Sequence, residues 1–141
     1  MTIFSKSENE TIQSGKRFAK DLQSGHIIAL IGELGSGKTA FTRGICRAFG
    51  CEDQISSPTF TIINAYEGSV VLFHVDTYRL EKKDSEKIRG IYDLMNKKNC
   101  IVIIEWAERL CNPLPPHWQV QFSIDSQNMN RRKIQIDWLE K

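Results

Sequence analysis

His26-Ile27-Ile28-Ala29-Leu30-Ile31-Gly32-Glu33-Leu34-Gly35-Ser36-Gly37-Lys38-Thr39 is the stretch that decides the fold. Its first half is an apolar run with the length and β-branching of a strand buried on both faces. Its second half has the G-x-x-x-x-G-K-T spacing of a phosphate-binding P-loop. Beyond it Phe41, Ile45 and Phe49 recur at i, i+4 and i+8, and Gly50 can take the left-handed conformation that ends a helix. The motif therefore joins a buried strand to a helix, the context in which it has chemical meaning. The glycines leave backbone N–H groups free to wrap phosphates, and the helix start adds its positive end. Lys38 supplies a point charge to the β- and γ-phosphates, and the Thr39 hydroxyl is placed one residue later to coordinate Mg²⁺. A nucleoside triphosphate with Mg²⁺ is the expected ligand, and ATP hydrolysis the expected activity.

Working outward, Ser7-Glu8-Asn9-Glu10 reads as a capping box that starts a helix. Ile12, Gly15, Phe18, Ala19 and Leu22 continue it at helical spacing, with Gly25 offering the stop. Residues 59–66 and 70–75 read as strands flanking the Glu67-Gly68-Ser69 turn, a hairpin. A charged helix with Ile88, Ile91, Tyr92 and Met95 on one face is expected between Asp84 and Asn99. Cys100-Ile101-Val102-Ile103-Ile104 is a second fully buried strand, ending in Glu105. Pro113, Pro115 and Pro116 break regular structure, and residues 118–124 and 133–138 then alternate like two paired strands. There is no internal repeat and no low-complexity segment. The pattern predicts an α/β fold of the P-loop NTPase type, a three-layer sandwich whose central sheet is mostly parallel with antiparallel additions. At 141 residues the chain is expected to form one domain, 1–141.

Apolar residues at 40% and charged residues at 26% match a soluble globular protein. The apolar runs are too short to span a bilayer. Met1-Thr2-Ile3-Phe4-Ser5-Lys6 does not read as a secretion signal, so the cytoplasm is the expected location. A net charge of +2 does not argue for nucleic-acid binding, and Arg131-Arg132-Lys133 is the one dense basic cluster. Cys46, Cys51, Cys100 and Cys111 form no C-x-x-C pair and are expected as free thiols.

A second acid is needed to hold or orient Mg²⁺, usually at the end of a buried strand facing the phosphates. Asp76, after Val70-Val71-Leu72-Phe73-His74-Val75, and Glu105 both qualify. For either alone, a carboxylate capping a turn is the plain alternative. His74 could relay protons, but a lone His in an apolar strand is more often a packed, hydrogen-bonded core residue. Guanine specificity lacks support, because Asn96-Lys97-Lys98-Asn99 has no acid at its end and no glycine follows three residues after Asp76. A small-molecule kinase remains the second reading, although Arg79, Arg89 and Arg109 are too scattered to suggest a lid. A binding module that holds nucleotide without turning it over is the third.

The order of motifs resembles the bacterial TsaE (YjeE) family of ATPases that assist threonylcarbamoylation of tRNA. The P-loop, Ser57-Pro58-Thr59-Phe60-Thr61, Phe73-His74-Val75-Asp76-Thr77-Tyr78-Arg79-Leu80 and Ile104-Glu105-Trp106 carry the likeness across nearly the whole chain. The resemblance implies nucleotide binding by Glu33, Gly35, Ser36, Gly37, Lys38, Thr39 and Ala40, with Thr11 and Arg132 around the adenosine. It implies Mg²⁺ coordination by Thr39 and Glu105, and catalytic roles for Asp76 and Glu105, with Asp76 also a switch-like element near the γ-phosphate. Ser57, Pro58 and Thr59 would form a switch-like segment, and Trp106 would buttress Glu105. It further implies partners, the TsaD and TsaB proteins, which place a threonylcarbamoyl group on the adenosine beside the tRNA anticodon. The transfer chemistry would belong to TsaD, with tRNA reached only through the complex. Glu33 stands where the family commonly has Asp, a change expected to be tolerated. Ala40 stands where a second Thr is common, which removes a hydroxyl that could contact the α-phosphate.

Overall fold

The computed structural model describes residues 1–55 and 63–140. In chain order the elements are β1 (Thr2–Ser5), α1 (Glu8–Phe18), β2 (Ile27–Ile31), α2 (Lys38–Ala48) and β3 (Ile63–Glu67). They continue with β4 (Val71–Asp76), α3 (Ser85–Met95), β5 (Cys100–Glu105), β6 (His117–Ile124) and β7 (Arg132–Leu139). The strands form one sheet of order β1-β7-β6-β2-β5-β4-β3. Its four central strands, β6, β2, β5 and β4, pair in parallel. β3 on one side, and β7 with β1 on the other, add antiparallel.

Parallel strands need crossover connections whose helices cover the sheet, so both faces of β2 and β5 are apolar and buried. Ile28, Leu30, Ile101 and Ile103 face Phe41 and Ile45 of α2 and Phe18 of α1. Ile27, Ala29, Val102 and Ile104 face Ile91 and Met95 of α3. This is the expected three-layer α/β sandwich. Phe41, Ile28 and Leu30 are wholly buried, and each such side chain contributes ~1.5–3 kcal/mol relative to exposure.

Helices α1 and α2 touch through glycines. A Cβ on Gly44 would lie 1.9 Å from the Ile12 carbonyl oxygen, and one on Gly15 would lie 2.1 Å from that of Phe41. Each glycine thus makes room for the other helix's backbone, which brings α1 against the start of α2 and the P-loop.

Local expectations mostly hold, with instructive departures. Ser7 caps α1 by accepting from the Glu10 N–H at 3.1 Å, but the Glu10 carboxylate reaches the Lys6 N–H rather than that of Ser7. α1 ends at Phe18 and tightens into a 3-10 turn at Ala19–Asp21. Gly25, at φ +94°, forms the turn into β2 instead, its N–H bonded to the Cys100 carbonyl at 2.8 Å. The α3 helix stops at Met95, short of the Asn99 boundary expected for it. The hairpin joins β3 to β4 in register Tyr66↔Leu72; residues 59–62 of the expected first strand lie outside the described residues. Edge strand β1 was not expected. It is four residues long and depends on pairing with β7. Among the described residues all four cysteines are free, and only Cys111 is exposed. No described helix is long and apolar enough to cross a membrane.

Candidate functional site

The carboxyl ends of β2, β5 and β4 lie side by side, with Glu105 opposite Leu30 on one flank and Asp76 on the other. Crevices at such strand ends are where open α/β sheets bind ligands. Here the 32–39 loop, α2 and these strand ends enclose a cleft of about 480 Å³.

The loop is built for close backbone approach. A Cβ on Gly32 would meet the Ser36 hydroxyl at 2.6 Å and Phe122 Cβ at 2.9 Å. Gly37, the residue capping α2, sits at φ +110°, which an L side chain rarely adopts. The Ser36 hydroxyl is buried and, among the described residues, has no hydrogen-bond partner. An orphaned donor in a loop that opens onto the cleft is what a phosphate-binding loop leaves for its ligand. Lys38 is 5% exposed. Its ammonium donates to the carbonyl oxygens of Gly32 and Glu33 and lies over the Trp106 ring, 3.8 Å from the centroid. Burial pushes its pKa down, opposed by the charges of Glu105, Glu108 and Asp76. Glu33 is engaged in this through its backbone carbonyl.

Thr39, in the first turn of α2, donates to Glu105 Oε1 at 3.2 Å. Glu105 is only 5% exposed, and its Oε2 lies 2.5 Å from His74 Nε2. This hydroxyl and carboxylate are the hard oxygen donors a Mg²⁺ ion takes, so the pair fits that ion. No group of three or more described His, Cys, Asp or Glu residues forms a metal cluster. Asp76 also lines the cleft, at its exposed rim. There its Oδ1 accepts from the Tyr78 N–H at 2.9 Å, so the turn-capping alternative is realised without removing the carboxylate from the cleft.

Thr11, Ala40 and Arg132 also line the cleft. The Thr11 hydroxyl is already used, 2.7 Å from Ser5 Oγ and 3.2 Å from the Ser7 carbonyl, so Thr11 shapes the wall rather than offering a free donor. Arg132 opens β7 and donates to the Gly35 carbonyl at 3.2 Å, tying the β6–β7 loop to the P-loop. Sequence reasoning missed Arg43, Ser7, Glu8 and Asn130, which also line the cleft. Arg43 lies four residues beyond Thr39, one helical turn on the same face, a signal that was available.

The Trp106 expectation needs refinement. Its ring stacks on Lys38 and on Tyr78, 4.9 Å between centroids, while the described side chains bonded to Glu105 are Thr39 and His74. Trp106 is held at φ +62°, with its carbonyl and that of Glu105 both accepting from the Thr77 hydroxyl. Ser57, Pro58 and Thr59 lie outside the described residues.

A family model described as "Threonylcarbamoyl adenosine biosynthesis protein TsaE" matches residues 5–134. The chain belongs to the TsaE family. The Treponema pallidum TsaE is 32% identical over 122 residues, covering 83% of this chain and 86% of that one. The Synechocystis TsaE is 40% identical over 113 residues, covering 78% and 72%. The crystal structure of Bacillus subtilis YdiB superposes with a TM-score of 0.72 at 26% identity, covering 100% of this chain and 86% of that chain. As a TsaE-family member, the chain is placed in threonylcarbamoyladenosine biosynthesis.

Proposed function

We propose that this chain binds ATP with Mg²⁺ at the 32–39 loop and hydrolyses it in the service of tRNA threonylcarbamoylation. The observation that carries the reading is the 3.2 Å contact of Thr39 with Glu105 beside the buried Lys38 ammonium. Loop N–H groups and the Ser36 hydroxyl would bind phosphate oxygens, and Lys38 would exchange its loop carbonyls for the β- and γ-phosphates. Thr39 and Glu105 would hold Mg²⁺, which when bound offsets phosphate charge. Asp76, at the rim, is the acid that would orient water. Thr11, Ala40 and Arg132 would border the nucleoside end. Ser57, Pro58, Thr59 and Trp106 would respond to the γ-phosphate.

The partners proposed are the TsaB and TsaD proteins, with tRNA reached through them, in the cytoplasm. Binding of nucleotide would create the docking state, and loss of the γ-phosphate would relax it.

Phosphate release from ATP by the purified chain, in Mg²⁺ and in EDTA, tests the chemistry. Slow release that needs Mg²⁺ and disappears in Glu105→Gln is expected. Release that is independent of both Mg²⁺ and Glu105 would contradict the site.

A further inference from the structure

We infer that Tyr66 and His74 are positioning residues that aim the Glu105 carboxylate at Thr39 and the shared Mg²⁺, through an imidazole carrying its hydrogen on Nε2. The inference rests on the Mg·ATP reading of this site.

Four side chains from four elements form one line. Tyr66 of β3 lies 3.0 Å from His74 Nδ1; His74 of β4 lies 2.5 Å from Glu105 Oε2; Thr39 of α2 donates to Glu105 Oε1 at 3.2 Å. The register explains why they meet. Tyr66 sits opposite Leu72, two residues before His74, so both side chains project from the face that carries Glu105 and α2. Tyr66, His74 and Glu105 are all buried, so the Tyr66–His74 and His74–Glu105 contacts are little diluted by solvent.

The direction of each hydrogen bond follows from hydrogen counting. A carboxylate only accepts, so the 2.5 Å contact with Glu105 calls for a hydrogen on Nε2; the Tyr66 phenol, pushed up to about 12 by burial, keeps a hydrogen that it can donate to a bare Nδ1. A neutral ring that accepts at Nδ1 carries its hydrogen on Nε2, where it donates to the carboxylate. The opposite tautomer would set an Nε2 lone pair against carboxylate lone pairs at 2.5 Å, a repulsive contact. The arrangement therefore fixes the tautomer, and the fixed tautomer fixes the carboxylate.

A core His–Tyr pair needs only satisfied polar atoms. This pair ends on the proposed metal-holding carboxylate, the position from which outer groups orient a ligand and where their loss costs about 10–100-fold in metal affinity or activity.

Two measurements decide the matter. Nitrogen-15 spectra of the labelled chain, with the His74 signals assigned by their loss in His74→Gln, should show Nε2 protonated and Nδ1 bare. Mn²⁺ binding to the ATP-loaded chain, followed by its electron spin resonance, should weaken about 10–100-fold in His74→Leu, and less in Tyr66→Phe. His74→Gln, which keeps a donor, should recover part of the loss. ATP affinity measured in EDTA should stay unchanged throughout. Tyr66→Phe removes one hydroxyl only and serves if His74→Leu does not fold. A wild-type chain that takes neither ATP nor Mn²⁺ would overturn the Mg·ATP reading and with it the metal role, whereas the tautomer is still decided by the spectra. Mn²⁺ affinity in folded Tyr66→Phe and His74→Leu equal to wild type, or a hydrogen found on Nδ1, would overturn the inference.

Discussion

The Lys38 ammonium rests on the face of the Trp106 indole, 3.8 Å from its centroid, while its hydrogens go to the carbonyls of Gly32 and Glu33. A desolvated cation–π contact of this kind is worth ~2 kcal/mol, so phosphates that draw Lys38 away must break it. Trp118 and Trp138 pack against each other at 5.2 Å, in a cluster with His26 just before β2. The tryptophan emission should therefore change on adding ATP, and the change should be absent in Trp106→Phe. An equal change in Trp106→Phe would contradict this coupling.

Removing the lysine tests the loop itself. Hydrogen bonds to charged groups contribute ~1.5–3 kcal/mol each, so Lys38→Ala should weaken ATP binding at least tenfold in calorimetry. Because Lys38 is buried against the loop and Trp106, a melt should accompany the titration to show that the variant is folded. Wild-type affinity in a folded variant would remove the P-loop assignment.

The two acids should separate by their metal dependence. Glu105 is buried and joined to Thr39, whereas Asp76 is exposed and bonded to the Tyr78 N–H. Glu105→Ala should suppress hydrolysis and raise the Mg²⁺ concentration needed for nucleotide binding. Asp76→Ala should suppress hydrolysis while leaving that Mg²⁺ requirement in place. Wild-type turnover in Asp76→Ala would return Asp76 to a turn-capping role.

Much of this was legible because the central sheet is parallel. Strands buried on both faces read as continuous apolar runs, and β2 and β5 announce themselves along with the P-loop and Glu105 that follow them. β1 was missed because four edge residues gain strand character only from β7, far away in sequence. The Gly25 stop failed because a left-handed glycine serves a turn before a strand as readily as a helix end. His74 illustrates the harder limit. Its strand was plain, but that its ring reaches Glu105 depends on β4 and β5 being neighbours in parallel register, which no local pattern encodes. Arg43 needed only the face of α2 to be followed one turn beyond Thr39.

The α1–α2 contact offers a test of fold rather than chemistry. A Cβ on Gly44 would meet the Ile12 carbonyl oxygen at 1.9 Å and the Lys16 nitrogen at 2.8 Å, both backbone atoms that cannot swing aside. Gly44→Ala should lower stability by about 1–3 kcal/mol in urea unfolding, the usual range for overpacking. Gly90→Ala, where a Cβ would meet nothing within 4 Å, should match or exceed wild type because α3 gains helix propensity. Equal stability of the two variants would contradict the backbone contact.

The central claim, a partner-gated ATPase, is tested most directly by steady-state phosphate release from Mg·ATP with and without the TsaB and TsaD proteins. A P-loop site with no stabilising arginine finger in place turns over on the order of 10⁻⁴ to 10⁻² s⁻¹, and a finger supplied by a partner can raise the rate about 10³–10⁵-fold. The expected result is slow release by the isolated chain, acceleration by the two partners together, and loss of the accelerated rate in Glu105→Gln. Equal rates with and without the partners would contradict the gated cycle, and transfer of the phosphoryl group to a small molecule instead of water would make the chain a kinase.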